Sequence, residues 1–141
     1  MATHTYTSWG RTRRPKNVTG NTSTSEITLT STNGTAPSAV GDGYPTENQR
    51  YLHLMIKDAD GDTTITVYVY YHAFGNWGKL QIPVFIKNGA DTTVDLAYTD
   101  ATFTCATAYQ TYILDISGAD RVAFVANNSD ACDVYAACST F

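Results

Sequence analysis

Three histidines and three cysteines are the residues whose chemistry could make this chain a catalyst. A nucleophile needs a neighbouring base and an orienting acid. The bases on offer are His4, His53 and His72. His4 falls in an aperiodic leading segment. His53 sits between Leu52 and Leu54, on a strand pattern that makes it a surface or inter-sheet residue. His72 ends a strand, ahead of Ala73-Phe74-Gly75. No GxSxG elbow, no HExxH and no phosphate-cradling glycine loop occurs. The reading is a protein that is not an enzyme and carries no cofactor.

Metal chemistry is equally thin. Cys105, Cys132 and Cys138 form no CxxC pair and read as small buried hydrophobes. Cys132 and Cys138 would bond if the chain folded back between them. The weak metal candidates are Asp58, Asp60 and Asp62, a run that superficially suggests a calcium loop. An EF-hand wants glycine at its sixth position and glutamate at its twelfth, whereas Gly61 falls fourth. The run reads instead as a polar hairpin tip.

Aromatic residues are the strongest ligand-binding signal. Trp77 follows Tyr70-Tyr71-His72-Ala73-Phe74-Gly75-Asn76. With Tyr44, Tyr68, Tyr70 and Phe74 it would form an aromatic interaction surface. Aromatic faces with polar edges suit stacking on sugars. They also suit subunit interfaces.

These side chains need strands to hold them. Charged residues make up only 16% of the 141 residues, below the usual ~25%. Thr, Ser and Asn replace them, and Thr and Tyr favour strands. Good helix formers are scarce. Strands are expected at 26–31, 50–57, 63–71, 80–86, 93–98, 109–117, 120–127 and 131–138. In the third, Ile65, Val67, Val69 and Tyr71 share one face, and Thr66, Tyr68 and Tyr70 the other. Pro83 marks its strand as an edge or bulge. About eight strands with regular turns predict an all-β, jelly-roll-like two-sheet β-sandwich over residues 26–141. No run approaches a membrane span and no export signal is visible, so the expected product is soluble and made in a cytoplasm.

Residues 1–25 read as an extended basic N-terminal arm. Trp9, Arg11, Arg13, Arg14 and Lys16 lie there, with no acid among them. The remainder holds five basic and thirteen acidic residues. Four positive charges would give a weak, salt-sensitive contact with nucleic acid, which the acidic body opposes, and an acidic protein partner explains the same arm equally well.

The stretch GDTTITVYVYYHAFGNWGKL, with Tyr112–Phe124, resembles virion proteins of tailed bacteriophages. The chain as a whole is similar in style to capsid decoration (cement) proteins. That resemblance implies docking on a major capsid protein at coat-subunit junctions on the outer head surface. It implies arm residues Trp9, Arg11, Arg13, Arg14 and Lys16 as the docking elements, and a homo-oligomer, a trimer by preference. It implies a virion location, with no nucleic-acid or membrane partner. The rival readings are a carbohydrate-binding module, and a head-fibre or tail component.

Overall fold

The computed structural model describes residues 29–87, 89, 94–130 and 132–139, together with the backbone of Lys16–Asn17. Its strands are β1 Lys16–Asn17, β2 Tyr44–Pro45, β3 Tyr51–Asp58, β4 Thr64–Tyr71, β5 Asn76–Lys79, β6 Gln81–Lys87, β7 Val94–Asp100, β8 Thr102–Thr104, β9 Gln110–Asp115, β10 Arg121–Ala126 and β11 Cys132–Ser139. One turn of 3-10 helix, Val40–Asp42, precedes β2. Among the described residues no helix is long and apolar enough to cross a membrane.

Two antiparallel sheets face each other. The first has the order β1-β11-β3-β9, and the second β2-β10-β4-β5, with β8 also on β4. Period-two patterning makes the core. In β3 the buried Leu52, Leu54 and Ile56 alternate with half-buried Tyr51, His53 and Met55. Val134 and Ala136 of β11 and Leu114 of β9 extend that inner layer. Ile65, Val67 and Val69 of β4, with Val122, Phe124 and Ala126 of β10, face it from the second sheet. Burying each of the larger side chains stabilises the fold by roughly 1.5–3 kcal/mol. The chain is thus an all-β sandwich, as its composition predicts.

The second sheet is covered on its outer side as well. Leu29–Ser31 continues along the edge of β10 beyond its pairing with β2, with a parallel bridge from Ser31 to Val125. The segment that follows leads to Trp77, which packs on Tyr68, Ala123 and Val125. Tyr68 and Tyr70 are therefore buried, although they lie opposite the core face of β4.

One expectation of pairing needs correction. The Asp58–Asp62 turn does not close a hairpin. β3 pairs with β11 and β9, whereas β4 pairs with β10, β5 and β8. The turn carries the chain from one sheet to the other. Each strand has its own apolar face, and both faces are buried when the strands lie in opposing layers. The strand expected at 80–86 is β6, Gln81–Lys87, and Leu80 separates it from β5, Asn76–Lys79, which was not expected as a strand. The strand expected at 131–138 is present as β11, which pairs with β3 over its whole length.

Leu80 is the pivotal residue of the architecture. β5 and β8 run in the same direction along the same edge of β4, with Tyr68 opposite Lys79 and Thr66 opposite Thr102. Between them Val67 uses both its backbone groups. Its carbonyl accepts from the Leu80 N–H at 2.9 Å, and its N–H donates to the Ala101 carbonyl at 3.0 Å. One strand position is thereby shared by two residues, and everything between them is an insertion. The insertion is the β6–β7 hairpin, which among the described residues pairs only with itself.

Candidate functional site

His53 and Ser139 come together on the outer face of the first sheet. His53 Nε2 lies 2.6 Å from Ser139 Oγ. That is base–nucleophile spacing, and nothing in the sequence suggests it, since the pair is 86 residues apart. Ser139, however, has no solvent exposure. The contact ties β11 to β3 across the outer face of the sheet.

The Asp58 carboxylate works as a turn-former. It accepts the backbone N–H groups of Asp60 and Asp62, both at 3.2 Å, and of Thr63 at 2.9 Å. Burial pushes its acidity down, but the Thr63 hydroxyl and those N–H groups outweigh it and hold the carboxyl below its ordinary range. Asp60 and Asp62 stand at the turn, and Asp62 is shifted upward by desolvation and by Asp130, Asp58 and Asp60. Among the described residues no group of three His, Cys, Asp or Glu side chains could hold a metal.

All three cysteines are free and buried. Cys132 and Cys138 point inward from one extended strand, six residues apart. That separates their Cα atoms by about 20 Å, far beyond disulfide reach. A bond between them is thus ruled out by the straightness of β11. Burial pushes the Cys105 thiol up to about 11, helped by the Asp58 charge. It pushes Cys132 to about 12, with Cys105 and Asp58 contributing. Cys138 rises to about 12, mainly through burial.

The aromatic set divides. Trp77 is half-buried, and its Nε1–H donates to the Ala39 carbonyl at 2.8 Å. Its ring lies 5.4 Å from that of Tyr70. Gly43 gives it room, because a Cβ there would come within 2.7 Å of the indole edge. Tyr44 packs half-buried against the core. Of the five residues expected to form a platform, only Phe74 is open, at 73% exposure. It stands 5.5 Å from Tyr71. Together they border an open groove of about 410 Å³, whose other walls include Asn76, Lys79 and Gln81.

The outer face of the first sheet carries a second groove, of about 310 Å³, between His53, Met55, Ile113 and Tyr135. Beside it Tyr109 lies edge-on to Tyr135, under the Lys57 ammonium. The expected docking residues of the arm, Trp9, Arg11, Arg13 and Arg14, lie outside the described residues. Lys16 is placed by its backbone alone, opposite Val134 on the edge of β11.

The most exposed apolar surface belongs to the inserted hairpin. Its register puts Pro83 opposite Tyr98, Phe85 opposite Leu96, and Lys87 opposite Val94. Opposed residues share a face. Phe85 is 76% exposed, Tyr98 65%, and Val94 and Leu96 55% each. At the root the Asp100 carboxylate accepts from Lys79 Nζ at 3.0 Å and from Gln81 Nε2 at 2.5 Å. Pro83 at such an open edge was legible in the sequence. The outward turn of the whole apolar row was not, because its alternation reads like that of a core strand. No family model, no curated protein and no solved structure matches the chain.

Proposed function

We propose that the protein is a non-enzymatic structural component of a virus particle, a capsid decoration (cement) protein that binds a major capsid protein on the assembled head. The observation that carries this reading is the hairpin. It holds five apolar side chains out from a sandwich that is complete without it, which is how a contact surface for protein is built. The resemblance of the β4–β5 region to phage virion proteins points the same way.

The strand order supports a finer fold assignment, a jelly roll. With β5 and β8 counted as one interrupted strand, the chain order of the eight strands is 1-8-3-6 in one sheet and 2-7-4-5 in the other. That is two interlocked Greek keys. The architecture is shared by viral capsid and lectin domains, so it supports the virion reading by analogy only.

In this reading the basic arm, leaving the edge of β11 at Lys16, meets acidic coat surface through Trp9, Arg11, Arg13, Arg14 and Lys16. Arginine suits that task because its guanidinium pairs with carboxylates in bidentate fashion. Binding the assembled shell in preference to free coat subunits stabilises the shell. The test is co-sedimentation of the protein, with and without residues 1–16, with heads of its virus. Saturable, arm-dependent binding that raises the shell's melting temperature supports the reading, and absence of binding by either form refutes it.

A second reading, carbohydrate binding, is favoured by the Phe74 groove, where an open ring adjoins Asn76, Lys79 and Gln81. It predicts that Phe74→Ala abolishes glycan binding, whereas arm truncation leaves it intact. A tail or head-fibre part would be distinguished by a low copy number per particle.

A further inference from the structure

The hairpin's outward face has a definite sequence of properties from root to tip. The root row is polar, with Gln81 beside an Asp100 carboxylate that also pairs with Lys79 Nζ at 3.0 Å. Two apolar rows follow, Pro83 with Tyr98 and then Phe85 with Leu96. The tip row pairs Lys87 with Val94. An isolated two-stranded ribbon is marginally stable in water. Among the described residues no third strand joins this one, and its five outward apolar residues expose roughly 500–600 Å², at the upper limit for a patch on a monomer. Its centre carries no charge, which is the composition of an obligate interface. Such a surface needs a partner from the moment the chain folds.

We infer that the partner is a second copy of this chain, with the two hairpins stacked face to face and antiparallel about a two-fold axis. The arrangement of charge selects this occupant. An axis crossing the strands between the two apolar rows places Phe85 over the partner's Pro83 and Leu96 over the partner's Tyr98. The same rotation brings Lys87 at each tip over the partner's Gln81 and Val94 over the partner's Asp100, so that each Lys87 adds a second cation beside the carboxylate already paired with Lys79. Stacking tip on tip instead brings the two lysines together and leaves both root carboxylates outside. The face is therefore complementary to itself in one orientation, as an isologous interface requires. Two copies bury on the order of 1,100 Å², near the lower bound for a specific interface. The closure is two-fold, in place of the threefold one that the phage resemblance suggests.

The inference deepens the structural-protein reading, but its test needs no shell. Sedimentation equilibrium of the purified full chain is expected to give a reversible dimer. Phe85→Asp with Leu96→Asp is expected to weaken it by about 100-fold or more, since both residues lie at the centre of the patch. Both positions are exposed, so circular dichroism and thermal unfolding should show a folded monomer. Orientation is read by cross-linking. Lys87→Cys mixed with Gln81→Cys is expected to be joined as a heterodimer by a short bis-maleimide, which spans the roughly 10 Å between stacked sheets, while neither variant alone links to itself. The native thiols stay out of this chemistry because they are buried and held protonated. A monomer at all concentrations, a trimer, a dimer indifferent to the paired Asp substitutions, or self-linking of Lys87→Cys overturns the inference. Failure of the protein to bind a shell would refute the decoration reading and leave this one standing.

Discussion

Gly43 and Trp77 hold the covering segment onto the second sheet. A Cβ at Gly43 would lie 2.2 Å from the Val122 carbonyl oxygen and 2.7 Å from the indole. The first contact is with backbone, so no side-chain rotation relieves it. Gly43→Ala is therefore expected to destabilise the fold by about 3 kcal/mol, through overpacking and displacement of Trp77. Denaturant unfolding, with tryptophan fluorescence as the probe, measures it. The buried thiols give a second prediction at this scale. In the unfolded chain they titrate near their ordinary value of 9.0, and in the folded chain at about 11 to 12. Between those limits the unfolded state holds fewer protons. Stability is then complete below pH 9 and falls as pH rises toward 12, by at most about 1.4 kcal/mol per pH unit for each thiol. Denaturant midpoints from pH 8 to 11 test this, and Cys138→Ala should flatten the decline.

The hairpin makes its own prediction at the level of elements. Leu80 donates its N–H to Val67 and Ala101 offers its carbonyl to Val67, so one residue can do both. Deleting Gln81–Ala101 joins Leu80 directly to Thr102 and leaves β5 and β8 as one continuous strand in register along β4. The shortened chain is expected to fold with an intact sandwich, and on the dimer inference it should be monomeric at every concentration. Circular dichroism and sedimentation check both. Most elements were legible in the sequence. Ile65, Val67 and Val69 set out the core face of β4, because the inner face of a strand repeats every second residue, whereas the burial of Tyr68 and Tyr70 on its other face was not legible. What could not be read was pairing. The acidic turn after β3 has the chemistry of a hairpin tip, yet Asp58 satisfies three N–H groups in a turn that crosses between sheets. Local residue types fix the turn, and only the distant strands β10 and β11 fix which layer each arm joins. The candidate site was less legible for the same reason. Trp77 looks like an exposed platform until Ala39 and Gly43, more than 30 residues away in sequence, come to cover it.

Charge is the property of the whole molecule that separates the two interfaces. The chain has a net charge of -4, with its four basic arm residues set against an acidic body. Arm docking on a shell would be electrostatic, and exposed ion pairs weaken as the Debye length contracts from about 10 Å at 0.1 M salt to about 3 Å at 1 M. The hairpin interface is apolar at its centre, with one charged contact at each end. Burial of that kind is little affected by salt at these concentrations. Raising the salt from 0.1 to 1 M is therefore expected to release the protein from heads while leaving the dimer assembled. Replacing Arg11, Arg13 and Arg14 with Gln should reproduce the release at low salt, by about tenfold or more in affinity. The paired substitutions at Phe85 and Leu96 should also weaken head binding, but by a different route. A dimer presents two arms to one shell, and losing it removes the gain in effective concentration from the second arm. Co-sedimentation at both salt concentrations, with the wild type and both variants, separates the routes. Salt-insensitive head binding would place the docking surface on the body in place of the arm.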